Sequence, residues 1–128
     1  IEDVGVLRSI PGLTIISPAD SLETIKAIEA AVKLKGPCYV RLSGTSNNPV
    51  VYNKDYEFEV GKAVKLTDGK DITIFCSGTM VYQCLEVEKK LKLKNISCNV
   101  INVHTIKPID AKSVEEACKS KLIVSKRN

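Results

Sequence analysis

The chain has 128 residues, 44% of them apolar and 27% charged, with a formal net charge of +4; this is the size of one domain or so, by a prior of roughly 100–200 residues each, with enough apolar material for a core. No stretch approaches the roughly 20 apolar residues of a membrane helix, and Glu2 and Asp3 stand where a signal peptide wants lysines. With no Trp and two Phe there is no basic stripe interleaved with aromatics for nucleic acid, so the expectation is a soluble, cytoplasmic α/β protein with neither a membrane nor a nucleic acid as partner.

From the N-terminus, Val4 and Leu7 three apart and Val6 and Ile10 four apart predict a short helix within 2–9, ended by Pro11-Gly12. Leu13 to Ile16 reads as a short buried strand. Ser17-Pro18-Ala19-Asp20 then offers a capping serine with proline at the first helical position, and Asp20 with Glu23 gives a second register for the same helix start. In the helix that follows, Leu22, Ile25, Ile28 and Val32 form the expected apolar stripe, with Lys26, Glu29 and Lys33 facing outward, and Gly36-Pro37 stops it before a strand from Cys38 to Leu42. A strand, a crossover helix and a strand favour parallel pairing.

Ser43 to Pro49 is the clearest loop, and residues 49–60 are expected to link two domains, 1–48 and 61–128. Tyr56 to Val60 alternates like a strand, Ala63 to Leu66 continues extended, and Asp68-Gly69 reads as a hairpin turn into a strand at Ile72 to Cys76. After Ser77-Gly78, the spacing of Val81, Cys84, Leu85, Val87, Glu88 and Leu91 predicts a helix. A strand at Cys98 to Val103, a turn at Lys107-Pro108, a helix over 111–118 and a strand at Leu122 to Val124 complete an α/β alternation with a largely parallel sheet, expected as a three-stranded remnant with a poorly covered edge and face.

Five cysteines, Cys38, Cys76, Cys84, Cys98 and Cys118, are odd in number, with no pair at the two-residue spacing of a redox or zinc motif. Reduced thiols fit best, those of Cys38 and Cys76 serving as small hydrophobes inside apolar runs. Lys89, Lys90, Lys92 and Lys94 gather at a helix end, where cations suit the macrodipole without any partner. His104 is the only histidine and no Gly-x-Ser-x-Gly elbow is present, so hydrolytic machinery has little support and His104 is expected to be structural. Gly61-Lys62 and Gly69-Lys70 lack the rest of a phosphate loop, and no cluster suggests a metal site.

A series of motifs remains: Glu2-Asp3 with Leu7-Arg8, Ile10-Pro11-Gly12-Leu13, Ser17-Pro18-Ala19-Asp20 with Glu23, Gly36-Pro37 before Tyr39-Val40-Arg41-Leu42-Ser43, Gly61-Lys62-Ala63, Gly69-Lys70-Asp71, and His104 through Lys107-Pro108-Ile109-Asp110. In order and spacing this series resembles the transketolase-like thiamine diphosphate enzymes over essentially the whole chain, above all the C-terminal subunit of split transketolases. The resemblance implies a fold that ends a parallel-sheet pyrimidine-binding domain (1–48) and, after the linker 49–60, begins an incomplete α/β transketolase C-terminal domain (61–128). It implies an enzyme transferring a two-carbon ketol unit between sugars, with thiamine diphosphate and Mg2+ in the full assembly and none bound to this segment alone, which by itself is expected to be inactive.

The implied partner is a second copy or a pyrophosphate-domain subunit, in a homodimer or heterotetramer. In the family, the glutamate that promotes ylid formation and the Asp and His residues on the sugar lie at positions before Ile1. The chain therefore reads as a piece of a longer polypeptide, and no catalytic, cofactor or metal residue carries over. Ser43, Gly44 and Thr45 are expected near the substrate, but the family's phosphate-binding arginine is replaced by Gly44, which can offer phosphate only a backbone donor. That departure speaks against a phosphorylated sugar. It keeps open a 2-oxo-acid dehydrogenase beta subunit or a deoxyxylulose-phosphate synthase-like enzyme; a separate alternative is a non-catalytic dimerisation or regulatory module that keeps the family's dimerising C-terminal region. Arg41 is expected to face a domain contact, and Arg8 to be a salt-bridge partner.

Overall fold

The computed structural model describes residues 3–42 and 48–126. A short helix α1 (Asp3–Leu7) leads to β1 (Thr14–Ile16), helix α2 (Ser21–Val32) and β2 (Cys38–Val40). After a long strap come β3 (Val64–Lys65), β4 (Ile72–Cys76), helix α3 (Met80–Lys92), β5 (Cys98–Asn102), β6 (Thr105–Lys107), helix α4 (Ala111–Ala117) and β7 (Leu122–Lys126). The result is mixed α/β, with two sheets.

β1 and β2 pair parallel across α2, as the strand–helix–strand order implied. Of the two possible starts for α2, the later one is realised: Asp20 is the cap, its Oδ1 accepting from the Glu23 backbone N–H at 2.9 Å, while Glu23 Oε2 accepts from the Ala19 N–H at 2.6 Å. This pair is a variant of the capping box, starting three residues beyond Ser17, in which Glu23 reaches the N–H one residue before the cap.

The inward face of α2 is not the one its hydrophobic period marks. Ile25 is 58%, Ile28 44% and Val32 81% exposed, whereas Glu23 and Ala27 are buried. The reason is polar: the side of α2 that carries Glu23 meets hydrogen-bond donors from the strap and from β5, and that choice turns the aliphatic stripe outward.

The second sheet has four strands, in the order β3-β5-β4-β7, one more than the expected remnant. β4 pairs parallel with both β5 and β7, and β3 pairs antiparallel with β5. The Asp68-Gly69 turn therefore closes no hairpin: β5 comes between β3 and β4. Gly69 packs so closely on the Cys98 backbone that a Cβ there would overlap it. Residues 56–60 form no strand, and β6, read only as a turn, pairs antiparallel with β1 in the first sheet.

The main core cluster is Ala19, Ile74, Cys76, Val81, Cys84, Cys98 and Val100, with Leu66, Leu85 and Leu91 packed around it. It lies between α3 and the inner face of β4 and β5. Ala19 reaches it from the start of α2. At the same junction Gly78 turns with φ +59°, its N–H donating to the Ser17 carbonyl at 3.2 Å, and a Cβ at position 78 would press on Ser17 Oγ at 2.9 Å. β7 is exposed along its whole length.

Candidate functional site

The most organised polar constellation lies along the seam between α2, the strap and β5. Asp20 does two jobs there. While Oδ1 caps α2, Oδ2 accepts from the backbone N–H groups of Val51 at 2.8 Å and Tyr52 at 2.9 Å, so the helix start and the strap share one carboxylate. Three residues on, Glu23 is fully buried and takes a hydrogen bond from Tyr56 Oη at 2.5 Å as well as from the Ala19 N–H. Asn102 Nδ2, at the end of β5, donates to Glu23 Oε1 at 2.9 Å and Oε2 at 3.1 Å and to Tyr52 Oη at 2.8 Å. The Tyr52 and Tyr56 rings stack at 4.3 Å, and Lys26 pairs with Asp55 while lying 5.4 Å above the Tyr56 ring.

These contacts answer a solvation problem. A carboxylate removed from water needs donors on both oxygens, and Glu23 has them from three chain segments. Burial still pushes its carboxyl above the usual range, partly offset by the bonds from Tyr56, Ala19 and Asn102. The same burial, with the Glu23 charge, pushes the hydroxyls of Tyr52 and Tyr56 far above the usual tyrosine range. Glu23 and Asn102 are sealed from solvent, so at their side chains the seam holds backbone segments in place.

His104 belongs to the same seam. Its ring is fully buried and stacks on Phe58 at 4.1 Å. Thr105 Oγ1 accepts from the Gly61 N–H at 3.0 Å and sits 2.9 Å from His104 Nδ1. Burial depresses the imidazole pKa to about 4, so the ring is neutral near pH 7. Its structural role matches the sequence reading.

Arg41, expected at a domain contact, is bonded within 1–48 instead: its Nε donates to Asp3 Oδ2 at 2.8 Å, where Tyr39 Oη also donates at 2.9 Å. These two bonds lower the Asp3 carboxyl to about 2. Among the described residues no carboxylate pairs with Arg8; instead the carbonyls of Arg8 and Ile10 accept from Lys107 Nζ at 3.0 and 2.6 Å, tying the end of α1 to β6. Ser43, Gly44 and Thr45 lie outside the described residues. Among the described residues no group of three or more His, Cys, Asp or Glu side chains could hold a metal ion, and no helix is long and apolar enough to cross a membrane.

The sequence pointed to Asp20 and Glu23 only as a helix cap. Tyr52, Tyr56 and Asn102 were not singled out, although an asparagine inside the apolar run 98–103 is itself a signal, because a buried strand amide must find partners.

Comparison with known proteins gives a consistent result. The family model for the transketolase C-terminal domain matches residues 61–125. One subunit of the apulose-4-phosphate transketolase of Phocaeicola vulgatus is 36% identical over 91% of this chain, and the 6-deoxy-6-sulfo-D-fructose transketolase subunit SqwH of a Clostridium species is 37% identical over 100% of it. The chain spans only 38% and 40% of the length of those relatives, and 19% of human transketolase, to which it is 33% identical. Among solved structures, a split-gene transketolase, described as an inactive beta4 tetramer, superposes over 100% of this chain and 43% of its own with a TM-score of 0.95 at 33% identity. Campylobacter jejuni transketolase shares the fold at a TM-score of 0.75, with 22% identity over 99% of this chain and 21% of its own.

Proposed function

The chain belongs to the transketolase C-terminal domain family, and from that premise we propose that it is the distal part of a transketolase subunit transferring a two-carbon ketol unit between sugars. The observation that carries this reading is the end-to-end superposition on a split-gene transketolase at a TM-score of 0.95. Under this reading residues 1–48 end a pyrimidine-binding domain, 49–60 link it to the C-terminal domain at 61–128, and the working assembly includes a second copy or a pyrophosphate-domain subunit in a cytoplasmic dimer or heterotetramer.

Thiamine diphosphate, when bound in that assembly, supplies the carbon nucleophile and the electron sink. The described residues do not fit the cofactor: they hold no carboxylate cluster for its Mg2+, and Glu23 is already saturated by its own chain. None of them is assigned a contact with it. The contribution of this chain is positional. Asp20 and Glu23 hold the strap against α2, and Ser43, Gly44 and Thr45 are assigned to the substrate mouth as backbone and hydroxyl donors.

The test is ketol transfer by the full-length subunit reconstituted with its partner and thiamine diphosphate. Activity that needs both supports the reading. An assembled protein that binds the cofactor yet transfers no ketol between any ketose and aldose refutes it. Gly44 in the place of an arginine favours a second reading, a 2-oxo-acid dehydrogenase beta subunit or deoxyxylulose-phosphate synthase-like enzyme acting on a 2-oxo acid or pyruvate. Turnover of pyruvate in place of ketose by the same assembly selects it.

A further inference from the structure

The Gly69-Lys70 pair lacks the rest of a phosphate loop, but folding surrounds it with other polar groups. Along β5, Cys98 and Val100 belong to the core against α3, so strand alternation turns Asn99 and Ile101 to the opposite face of the sheet, beside α4. There Lys65 of β3, which stands opposite Ile101 in the register, joins the Gly69-Lys70 turn and the Lys119-Ser120 turn after α4 around a cavity of about 420 Å³. The first turn is pinned: the Lys70 N–H donates to Ser97 Oγ at 3.0 Å, and Gly69 lies against the Cys98 backbone.

The charges around this cavity do not cancel. Lys65 is paired with Asp68, but among the described residues no carboxylate pairs with Lys70 or Lys119, and no cation with Glu116, which lines the same cavity. Two unpaired ammonium groups match the charge of about −1.5 to −2 that a phosphomonoester carries near pH 7. Lysine meets phosphate as a point charge, without the fixed fork of arginine. The Glu116 carboxylate repels a bare anion but accepts from hydroxyls, so it favours a phosphate that carries them. Asn99 offers a second hydroxyl partner: among the described residues its amide oxygen has no donor, and its Nδ2 reaches Thr73 Oγ1 only at 3.4 Å. An amide held so loosely turns its oxygen toward a ligand hydroxyl at little cost. Ile101, buried in the sheet, adds an apolar wall for a carbon chain.

We propose that this cavity binds a small phosphorylated polyol, with the phosphate between Lys70 and Lys119 and hydroxyls on Asn99 and Glu116. Every residue of the site lies within 65–120, and binding there is independent of ketol transfer. The bound ligand bridges β3, the turn before β4 and the turn after α4, and so stabilises the folded protein in step with its concentration.

The test is isothermal titration calorimetry of the purified full-length protein with sorbitol phosphate, and separately with sorbitol and with inorganic phosphate. Sorbitol phosphate has no carbonyl, so it is neither donor nor acceptor of a ketol, and its binding is read apart from turnover. Saturable binding of sorbitol phosphate is expected, with weaker binding of inorganic phosphate and none of sorbitol. The double variant Lys70→Gln with Lys119→Gln, at two exposed positions, should bind at least about tenfold more weakly, because each lysine gives up a charge-assisted contact. The exposed Lys90→Gln on α3 should bind as wild type does, with circular dichroism confirming that each variant is folded. Equal affinity for inorganic phosphate, an equal loss in Lys90→Gln, unchanged affinity in the double variant, or no saturation by about 10 mM overturns the proposal.

Discussion

Replacing Asp20 separates the two roles of one carboxylate. In Asp20→Ala the helix loses its cap, typically about 1 kcal/mol, and the N–H groups of Val51 and Tyr52 lose their shared acceptor in a part-buried setting. Each stranded donor costs about 1 kcal/mol at the low end of the usual range, so the total loss is about 3 kcal/mol. Asp20→Ser keeps an oxygen for the Glu23 N–H but does not reach the strap, and is expected to lose about 2 kcal/mol. The assay is equilibrium urea unfolding of wild type and both variants with a common m-value. If Ala and Ser are equally destabilising, the strap bonds carry the whole effect. If both lie within about 0.5 kcal/mol of wild type, the ordinary scatter of surface substitutions, the reasoning fails.

Gly69→Ala places a methyl group against the Cys98 backbone, and about 2 kcal/mol of lost stability by urea unfolding is expected from forced overpacking. Tyr56→Phe removes the donor to Glu23 Oε1 without changing the ring stack, so it should cost about 1–2 kcal/mol and raise the Glu23 pKa further, read by carboxyl NMR titration. For His104 the folded pKa is about 4 against 6.5 in the unfolded chain. Between those values the unfolded state binds the extra proton, so stability falls as pH drops from 6.5 to 4, by up to about 3 kcal/mol. Glu23, with its raised pKa, acts in the opposite direction, gaining stability at low pH. The informative comparison is therefore the difference between wild type and His104→Phe in urea midpoints across that range, where a parallel pair of profiles would contradict the assignment.

Most elements follow from local signals because they depend on near neighbours: the Pro11-Gly12 and Gly36-Pro37 stops, and the helix at 80–92 with Val81 and Cys84 inward. Two errors share one cause. The period of Ile25, Ile28 and Val32 marks an apolar face, but nothing in the period says whether that face or the one bearing Glu23 meets the rest of this chain. Likewise Asp68-Gly69 has the right residues for a hairpin, but β5, roughly thirty residues downstream in the span that non-local pairing allows, takes the place beside β3. The candidate site was legible only at Asp20 and Glu23. Tyr52, Tyr56 and Asn102 join them through contacts between distant positions, such as Glu23 with Asn102, separated by 79, and no local spacing encodes such a meeting.

The antiparallel pairing of β6 with β1 bears on how the molecule would come apart. A protease that nicks the strap would not release two separate bodies, because the piece carrying β3, β4, β5 and β7 also carries the third strand of the other sheet. Lys107 would still hold the carbonyls at the end of α1, and Asn102 would still hold Glu23. The nicked halves should therefore co-elute and, if unfolded apart, should recover their structure only when mixed, behaving as complementing fragments of one cooperative unit.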